Sequence, residues 1–134
     1  IKVSKKLMKA MYNAISSGFV EACHDCSEGG FAAAVSEMAF AGEFGAKINA
    51  DLIKTDSQMT LAEKLFSESN TRFIVEIMPE NKEKFEKTLK GFVFAQIGTT
   101  ESEQSLVIES KKSKISIKTK IKDLQKSWQR QLLG

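Results

Sequence analysis

Seven consecutive residues, His24-Asp25-Cys26-Ser27-Glu28-Gly29-Gly30, combine an acid, a hydroxyl and two glycines between a predicted strand and a predicted helix. Asp25 follows the strand at its carboxyl end, where open α/β sheets usually place their ligands. Ser27 is a good N-cap residue, and its hydroxyl can also donate a hydrogen bond to phosphate. Gly29 and Gly30 let a ligand approach the backbone and leave helix N–H groups pointing outward, which favours an anion. Since Mg²⁺ prefers carboxylate and phosphate oxygens, the loop predicts a site for a metal–phosphate group.

The same loop has other interpretations. An Asp-x-Ser-x-Gly-Gly pattern is also typical of an efficient turn and helix cap that binds nothing. Cys23 and Cys26 form a CxxC pair, but zinc needs about four ligands and only His24 is close enough in sequence to join them. A dithiol redox centre stays open as an alternative, because a CxxC pair before a helix can lower a thiol pKa. That alternative requires exposed thiols, whereas a core strand would hide Cys23.

A second polar cluster, Ser67-Glu68-Ser69-Asn70-Thr71-Arg72, lies between a predicted helix end and a predicted buried strand. Glu68 and Ser69 could form hydrogen bonds with the hydroxyl groups of a ligand. Arg72 could pair with an anion or with Glu68. A polar helix-to-strand turn without a ligand is the alternative.

The elements around these clusters must position them. The pattern predicts a helix at 4–17 that Gly18 caps, a strand at 19–24, a helix at 29–41, a short helix opened by a Thr60–Glu63 capping box, and a strand at 71–78. The 29–41 helix has five alanines, which indicate close packing, and its apolar stripe consists of Phe31, Val35, Met38 and Ala39. Phe73-Ile74-Val75 is apolar without alternation, as expected for a strand covered on both faces.

The rest of the chain predicts more strands and two more helices. Strands are expected at 45–49, at 92–97, where Gly98 ends the run, at 106–108, and at 114–119, which alternates like a half-exposed edge strand. Residues 51–59 predict an irregular polar stretch. Pro79 opens a charged helix with Phe85 and Leu89 inward, and a final helix has an apolar stripe of Ile121, Leu124, Trp128 and Leu132. This order predicts an α/β (α+β) fold, with one mixed sheet and helices packed on it, in a single domain at 1–134.

The composition is typical of a globular domain. With 134 residues, of which 42% are hydrophobic and 28% charged, the chain is long enough to bury a core. Its apolar runs are too short for a transmembrane helix, no secretion leader opens it, and two cysteines fit a reducing compartment. We therefore expect a cytoplasmic protein without a membrane partner. Ile1 in place of Met predicts that the natural N-terminus lies elsewhere.

The net charge of +3 is unevenly distributed, because seven lysines and one arginine lie between Lys111 and Arg130 against Asp123 alone. A nucleic-acid surface is one interpretation, and a solvated edge strand and helix face is the one we favour. Trp128 is the only aromatic residue among these charges, so no stacking platform for bases is predicted. We expect no nucleic-acid partner.

Both clusters resemble motifs of a known family. The run from Ala22 to Phe31, followed by Glu37-Met38-Ala39 and Gly45-Ala46, resembles the carboxy-terminal domain of phosphoribosylformylglycinamidine synthase, in the aminoimidazole ribonucleotide synthase-related superfamily. Leu65 to Phe73 is similar to the family's second motif, L-F-S-E-S-x-x-R-F. The resemblance extends from about Ser4 to Leu132, and two long motifs in the correct order make it specific.

The resemblance implies an ATP-dependent C–N ligase of purine biosynthesis. It would convert formylglycinamide ribonucleotide, glutamine and ATP to formylglycinamidine ribonucleotide. The chain would be the last domain of the synthase, with a fold like the carboxy-terminal domain of aminoimidazole ribonucleotide synthase, and it would be inactive alone. Its partners would be the remaining synthase domains, a glutaminase domain or subunit, and a small accessory subunit.

The resemblance also implies roles for individual residues, none of them catalytic. Asp25 would be a Mg²⁺ ligand, and Ser27, Gly29 and Gly30 would contact ATP or ADP at an auxiliary site in the non-catalytic half. A Glu-Ser-Gln that binds substrate in the other half of the enzyme aligns with Glu68, Ser69 and Asn70. Asn70 departs from the Gln of that motif.

Overall fold

The computed structural model describes residues 2–55 and 57–133. Helices and strands alternate along these residues. The helices are α1 (Lys2–Ser16), α2 (Gly30–Gly42), α3 (Leu61–Phe66), α4 (Lys82–Thr88) and α5 (Ile121–Leu133), with short 3-10 helices at Ala50–Leu52 and Pro79–Asn81. The strands are β1 (Ala22–Asp25), β2 (Gly45–Asn49), β3 (Phe73–Glu76), β4 (Gly98–Glu101), β5 (Ser105–Ser110) and β6 (Ile115–Lys120).

The strands form two sheets. A four-stranded mixed sheet has the order β4-β2-β5-β6, in which β2 and β5 are parallel and the other neighbours are antiparallel. β1 and β3 form a separate antiparallel pair. The α+β class is confirmed, with the strands divided between two sheets instead of the single sheet expected.

The predicted strand at 92–97 is wrong. These residues form a turn and an extended loop, and Val93 is 80% exposed. Gly98, expected to end the strand, instead begins β4 and pairs with Ile48. A Cβ atom on Gly98 would lie 2.1 Å from the Lys47 carbonyl oxygen, so this glycine permits a close backbone approach. Local apolar character did not predict which residues reach the sheet.

The larger core lies between the four-stranded sheet and helices α2 and α3. Ile48, Leu106 and Ile108 face it from the sheet, whereas Lys47 is exposed on the opposite face. The α2 and α3 residues in this core are Phe31, Ala34, Val35 and Leu65, and the small side chains of Ala34, Ala46 and Ala50 also line it. The predicted close packing of the alanine-rich helix is therefore seen at Ala34, whereas Met38 of its predicted stripe is only half-buried.

A second core lies between the β1–β3 pair and helices α1 and α4. It contains Met11, Ala14, Phe85 and Leu89, so the predicted inward pair on the charged helix is confirmed. Phe73 and Val75 pack against this core, and Ile74 packs against the larger one. β3 is thus covered on both faces, as its sequence predicted.

Two helix ends follow their sequence signals. Gly18 has a φ of 71° and its N–H donates to the Ile15 carbonyl, while the Phe19 N–H donates to the Ala14 carbonyl, which closes α1 in a Schellman motif. Thr60 and Glu63 form both reciprocal hydrogen bonds of a capping box at α3.

Asp51 fixes the β5–β6 turn, a role that its sequence position did not indicate. Its carboxylate accepts hydrogen bonds from the Ser110 hydroxyl at 2.7 Å, the Lys111 N–H at 2.9 Å and the Lys112 N–H at 3.2 Å. The Ser110 hydroxyl, followed by the backbone N–H groups of Lys112 and Lys111, holds the pKa of Asp51 below its ordinary value, although desolvation raises it.

β6 forms one edge of the four-stranded sheet, and α5 follows it along the chain. Ile115 and Ile117 of β6 are 43% and 42% exposed, which confirms the predicted half-exposed edge strand. In α5, Ile121 is buried and the Trp128 ring lies 5.7 Å from the Phe40 ring, whereas the Leu132 side chain lies outside the described residues. In the part of the chain described, no helix is long and apolar enough to span a membrane.

Candidate functional site

The two polar clusters meet at one end of the β1–β3 pair. In this antiparallel ladder Asp25 is opposite Phe73, and the Cys26 N–H donates to the Arg72 carbonyl at 2.8 Å. Because the chain leaves β1 where it enters β3, the loop at 26–29 lies beside the segment at 67–72. The structure therefore brings together the residues that the sequence singled out in two separate motifs.

A direct hydrogen bond joins the clusters. The Gly29 N–H donates to Glu68 Oε1 at 3.0 Å, across 39 residues of sequence. The N-terminus of a helix carries partial positive charge, so the Glu68 carboxylate occupies a position that suits an anion. Ser69 and Asn70 also align with the substrate-binding motif of the family. Ser69 is half-buried and Asn70 is exposed. Nothing in either motif alone predicted the link to Glu68.

The glycine pair is required by conformation and by packing. Gly29 and Gly30 have φ values of 71° and 66°, in the left-handed region that favours glycine. A Cβ atom on Gly30 would lie 2.8 Å from the Phe66 carbonyl carbon and 2.8 Å from the Ser67 carbonyl oxygen. The first residue of α2 therefore packs against the backbone at the end of α3. The close approach at Gly30 is thus made between two backbone segments of the protein, whereas the sequence predicted that a ligand would approach the backbone here.

Ser27 is not the N-cap of α2. Gly29 holds that position, and no side chain caps it through a hydrogen bond. The prediction is wrong because the left-handed glycine pair places the N-cap two residues beyond Ser27, at Gly29. Ser27 is exposed in the loop, where its hydroxyl can still meet a ligand.

Arg72 contacts both α3 and α2 at the junction. Its guanidinium donates to the Lys64 carbonyl at 3.0 Å and to the Ser67 hydroxyl at 3.4 Å, and it lies 5.9 Å from the centre of the Phe31 ring. The Lys64 carbonyl is one of the last of α3 and lacks a partner within the helix. Arg72 thus links the end of α3 to α2. This differs from the sequence-based prediction, in which Arg72 pairs with an anion or with Glu68.

His24 links β1 to α2. Its Nδ1 lies 2.7 Å from the Asp25 carbonyl oxygen and its Nε2 lies 3.0 Å from Glu37 Oε2. Partial desolvation lowers the pKa of His24, but the hydrogen bonds to Asp25 and Glu37 and the two negative charges raise it above its ordinary value. Both ring nitrogens face acceptors, which only the doubly protonated imidazolium can satisfy. The Glu37 partner was missed because it lies 13 residues away on another element.

The Asp25 carboxylate is exposed at the end of β1. Its side chain is 59% exposed, and its Oδ1 lies 3.7 Å from His24 Nδ1. In the described part of the chain, no three His, Cys, Asp or Glu residues are grouped to bind a metal by themselves. Mg²⁺ commonly uses one or two carboxylates together with phosphate oxygens and water, so a single exposed carboxylate beside a helix N-terminus fits that donor set.

The cysteines do not have the environment of a redox pair. Cys23 is exposed and Cys26 is buried, the reverse of what a core strand at Cys23 would give. Partial desolvation, followed by the negative charge of Asp25, raises the pKa of the exposed Cys23 thiol, and burial raises that of Cys26. Thiols with raised pKa values are poor nucleophiles at neutral pH. The geometry thus disfavours the dithiol alternative.

A known family matches most of the chain. Residues 2–111 match the model of the family described as AIR synthase related protein, C-terminal domain. The chain belongs to this family. All of the candidate site residues, from Asp25 to Asn70, lie inside the matched range of this AIR synthase related domain, whereas β6 and α5 lie beyond it.

Solved structures of PurL, a phosphoribosylformylglycinamidine synthase II from Thermotoga maritima, share the fold of the domain. PurL complexed with FGAR superposes with a TM-score of 0.80 at 23% identity, over 90% of this chain and 20% of that chain. PurL complexed with ATP gives 0.80 at 24%, over 90% and 21%. PurL in the PurLQS structure gives 0.80 at 23%, over 90% and 21%. The chain therefore spans about a fifth of the PurL chains.

Proposed function

We propose that this AIR synthase related domain is the carboxy-terminal domain of a phosphoribosylformylglycinamidine synthase. The whole enzyme would convert formylglycinamide ribonucleotide, glutamine and ATP to formylglycinamidine ribonucleotide in the cytoplasm. Family membership, the two motifs and the fold shared with PurL complexed with FGAR and with ATP support this proposal. The observation that carries it is the junction of both motifs at Asp25, Gly29 and Glu68.

The proposed role of the domain is to hold a magnesium–nucleotide group at an auxiliary site. Asp25 would bind Mg²⁺ through its exposed carboxylate, and the Ser27 hydroxyl would donate to a phosphate oxygen. The first N–H groups of α2, beginning at Gly29 and Gly30, would donate to the same phosphate. When bound, Mg²⁺ would neutralise phosphate charge beside Asp25 and so join the domain to the rest of the enzyme.

Glu68 makes phosphate binding at this corner competitive. Its carboxylate already accepts the Gly29 N–H, so a phosphate at that N–H must displace it. Displacement would release Glu68 and the segment that carries Ser69 and Asn70 from the start of α2. Occupation of the nucleotide site and the position of the substrate-like residues would thereby be coupled through one hydrogen bond.

The chain alone is proposed to be inactive. In the described residues, the groups at the junction bind, orient and neutralise charge, and none is arranged as a nucleophile with a base beside it. The other synthase domains, a glutaminase domain or subunit and a small accessory subunit are the proposed partners. The existence of a PurLQS structure from Thermotoga maritima supports the proposal of further components.

The experiment that tests this function uses the full-length parent protein. The parent, supplied with formylglycinamide ribonucleotide, ATP, Mg²⁺ and ammonium chloride, should release phosphate and form formylglycinamidine ribonucleotide. The isolated 134-residue chain should form none under the same conditions. A parent whose ATP consumption does not depend on formylglycinamide ribonucleotide would contradict the proposal.

A further inference from the structure

The chain has a strongly basic segment that the proposed site does not use. Residues 111–130, here called the basic arm, carry a net charge of +7, while the rest of the chain carries −4, which together give the net charge of +3. The arm contains the β5–β6 turn, all of β6 and most of α5. Its charge is therefore spread over the turn, the strand and the helix, which follow one another along the chain at the edge of the four-stranded sheet.

The strand of the arm presents lysines on its outer face. Ile117 is opposite Ile108, and Thr119 is opposite Leu106, in the register of β6 with β5. Ile108 and Leu106 belong to the larger core, so the alternate residues Lys118 and Lys120 point away from it. Both lysines are exposed.

The helix of the arm continues this surface. Lys122, Lys126 and Arg130 are spaced at i, i+4 and i+8, which places them in one line along α5. All three are exposed, while Ile121 is buried and Leu124 half-buried on another side of the helix.

A shallow depression joins the strand and the helix. Lys118, Lys120 and Lys122 line it together with Glu103. The charge of the arm is little neutralised within the described structure. Lys118 Nζ lies 2.7 Å from Glu103 Oε1, and this is the one described ion pair that includes a side chain of the arm. Both side chains of that pair are more than half exposed, so it contributes little stability and is available for exchange.

We propose that the basic arm docks against an acidic protein surface of the assembly in which this chain works. The arm has seven lysines to one arginine, whereas arginine is the residue of choice for phosphate and nucleic-acid recognition. Surfaces that bind single-stranded nucleic acid add aromatic rings for base stacking, whereas the one aromatic ring of the arm, Trp128, packs against Phe40. The family match ends at Lys111, so the rest of the arm lies beyond the matched range.

The test measures polyanion binding to the full-length parent by fluorescence anisotropy. The probe is labelled poly-L-glutamate, compared with labelled duplex DNA of random sequence. The parent should bind poly-L-glutamate more tightly than DNA, with affinity falling steeply between about 50 and 200 mM salt. Lys118→Glu, Lys120→Glu and Lys122→Glu together should weaken that binding at least about tenfold, because complementary charges become repulsive.

A matched variant controls for net charge. Lys5, Lys6 and Lys9 are equally exposed lysines on α1, and their joint replacement by Glu should leave the affinity within about twofold. Equal loss in both triple variants would show a nonspecific charge effect and overturn the proposal. Tighter binding to DNA would assign the arm to nucleic acid instead, and no binding to poly-L-glutamate at low salt would also overturn it.

Discussion

Replacing Gly30 by Ala tests whether the junction of the two motifs depends on close packing of α2 against the end of α3. Alanine in a left-handed conformation costs about 1–2 kcal/mol, and the φ of Gly30 is 66°. The added Cβ would also lie 2.8 Å from two backbone atoms of Phe66 and Ser67, which no side-chain rotation can relieve. Overpacking of this kind costs about 1–3 kcal/mol. We therefore expect Gly30→Ala to lower the free energy of unfolding by about 2–5 kcal/mol.

The structure supplies a matched control at Gly18. Its φ of 71° is nearly the same, but a Cβ atom there would have no neighbour within 4 Å. Gly18→Ala should thus cost only the backbone component, about 1–2 kcal/mol. Urea unfolding of the chain, followed by circular dichroism, gives both values, and the midpoints should be compared at equal slopes.

The difference between the two glycines decides the interpretation. If Gly30→Ala destabilises the chain by about 1–3 kcal/mol more than Gly18→Ala, the close contact with α3 is confirmed. If both variants lose the same free energy, Gly30 serves only its backbone conformation, and the reasoning that the α2–α3 contact fixes the junction is refuted.

Further predictions concern Asp51 at the β5–β6 turn, the two cysteine thiols and the Glu68 carboxylate. Because the pKa of Asp51 is lowered in the folded state, its carboxylate should stabilise the chain at pH values above its ordinary pKa of 3.8, and this stabilisation should be lost as the pH falls further. Asp51→Asn should therefore lower the urea midpoint of unfolding at neutral pH, and the difference in midpoint from wild type should become smaller in acid. With a thiol reagent at neutral pH, Cys23 should react slowly and Cys26 should react only on unfolding; rapid reaction of both in the native chain would favour the dithiol alternative. Glu68→Ala should tighten ADP binding to the parent about two- to fivefold by vacating the Gly29 N–H, and unchanged or weaker binding would contradict the competition.

Features that depend on neighbouring residues could be predicted from the sequence. Gly18 closes α1 and the Thr60–Glu63 box opens α3 because each signal acts within one helical turn. The double coverage of β3 also followed from Phe73-Ile74-Val75, since an apolar run without alternation has no solvent face.

Features that depend on distant partners could not be predicted. The Gly29–Glu68 bond spans 39 residues and the Asp51–Ser110 bond spans 59, so no local pattern encodes either one. The strand expected at 92–97 failed for a related reason, because of these residues only Ile97, whose carbonyl accepts the Asn49 N–H, forms a backbone hydrogen bond with β2, and the ladder itself begins at Gly98. The roles of the candidate residues came from the family resemblance, and the structure adds which of them lie together.

The most direct test of the central claim is to count the nucleotides that the full-length parent binds. Isothermal titration with ADP, with and without Mg²⁺, should compare wild type with Asp25→Asn and Ser27→Ala, and with Asp123→Asn as an exposed acidic control on α5. We predict that Asp25→Asn removes one Mg²⁺-dependent binding site per parent chain, that Ser27→Ala weakens the same site, and that Asp123→Asn changes nothing. Unaltered stoichiometry and affinity in both loop variants would show that the junction is a structural turn and helix start without a nucleotide.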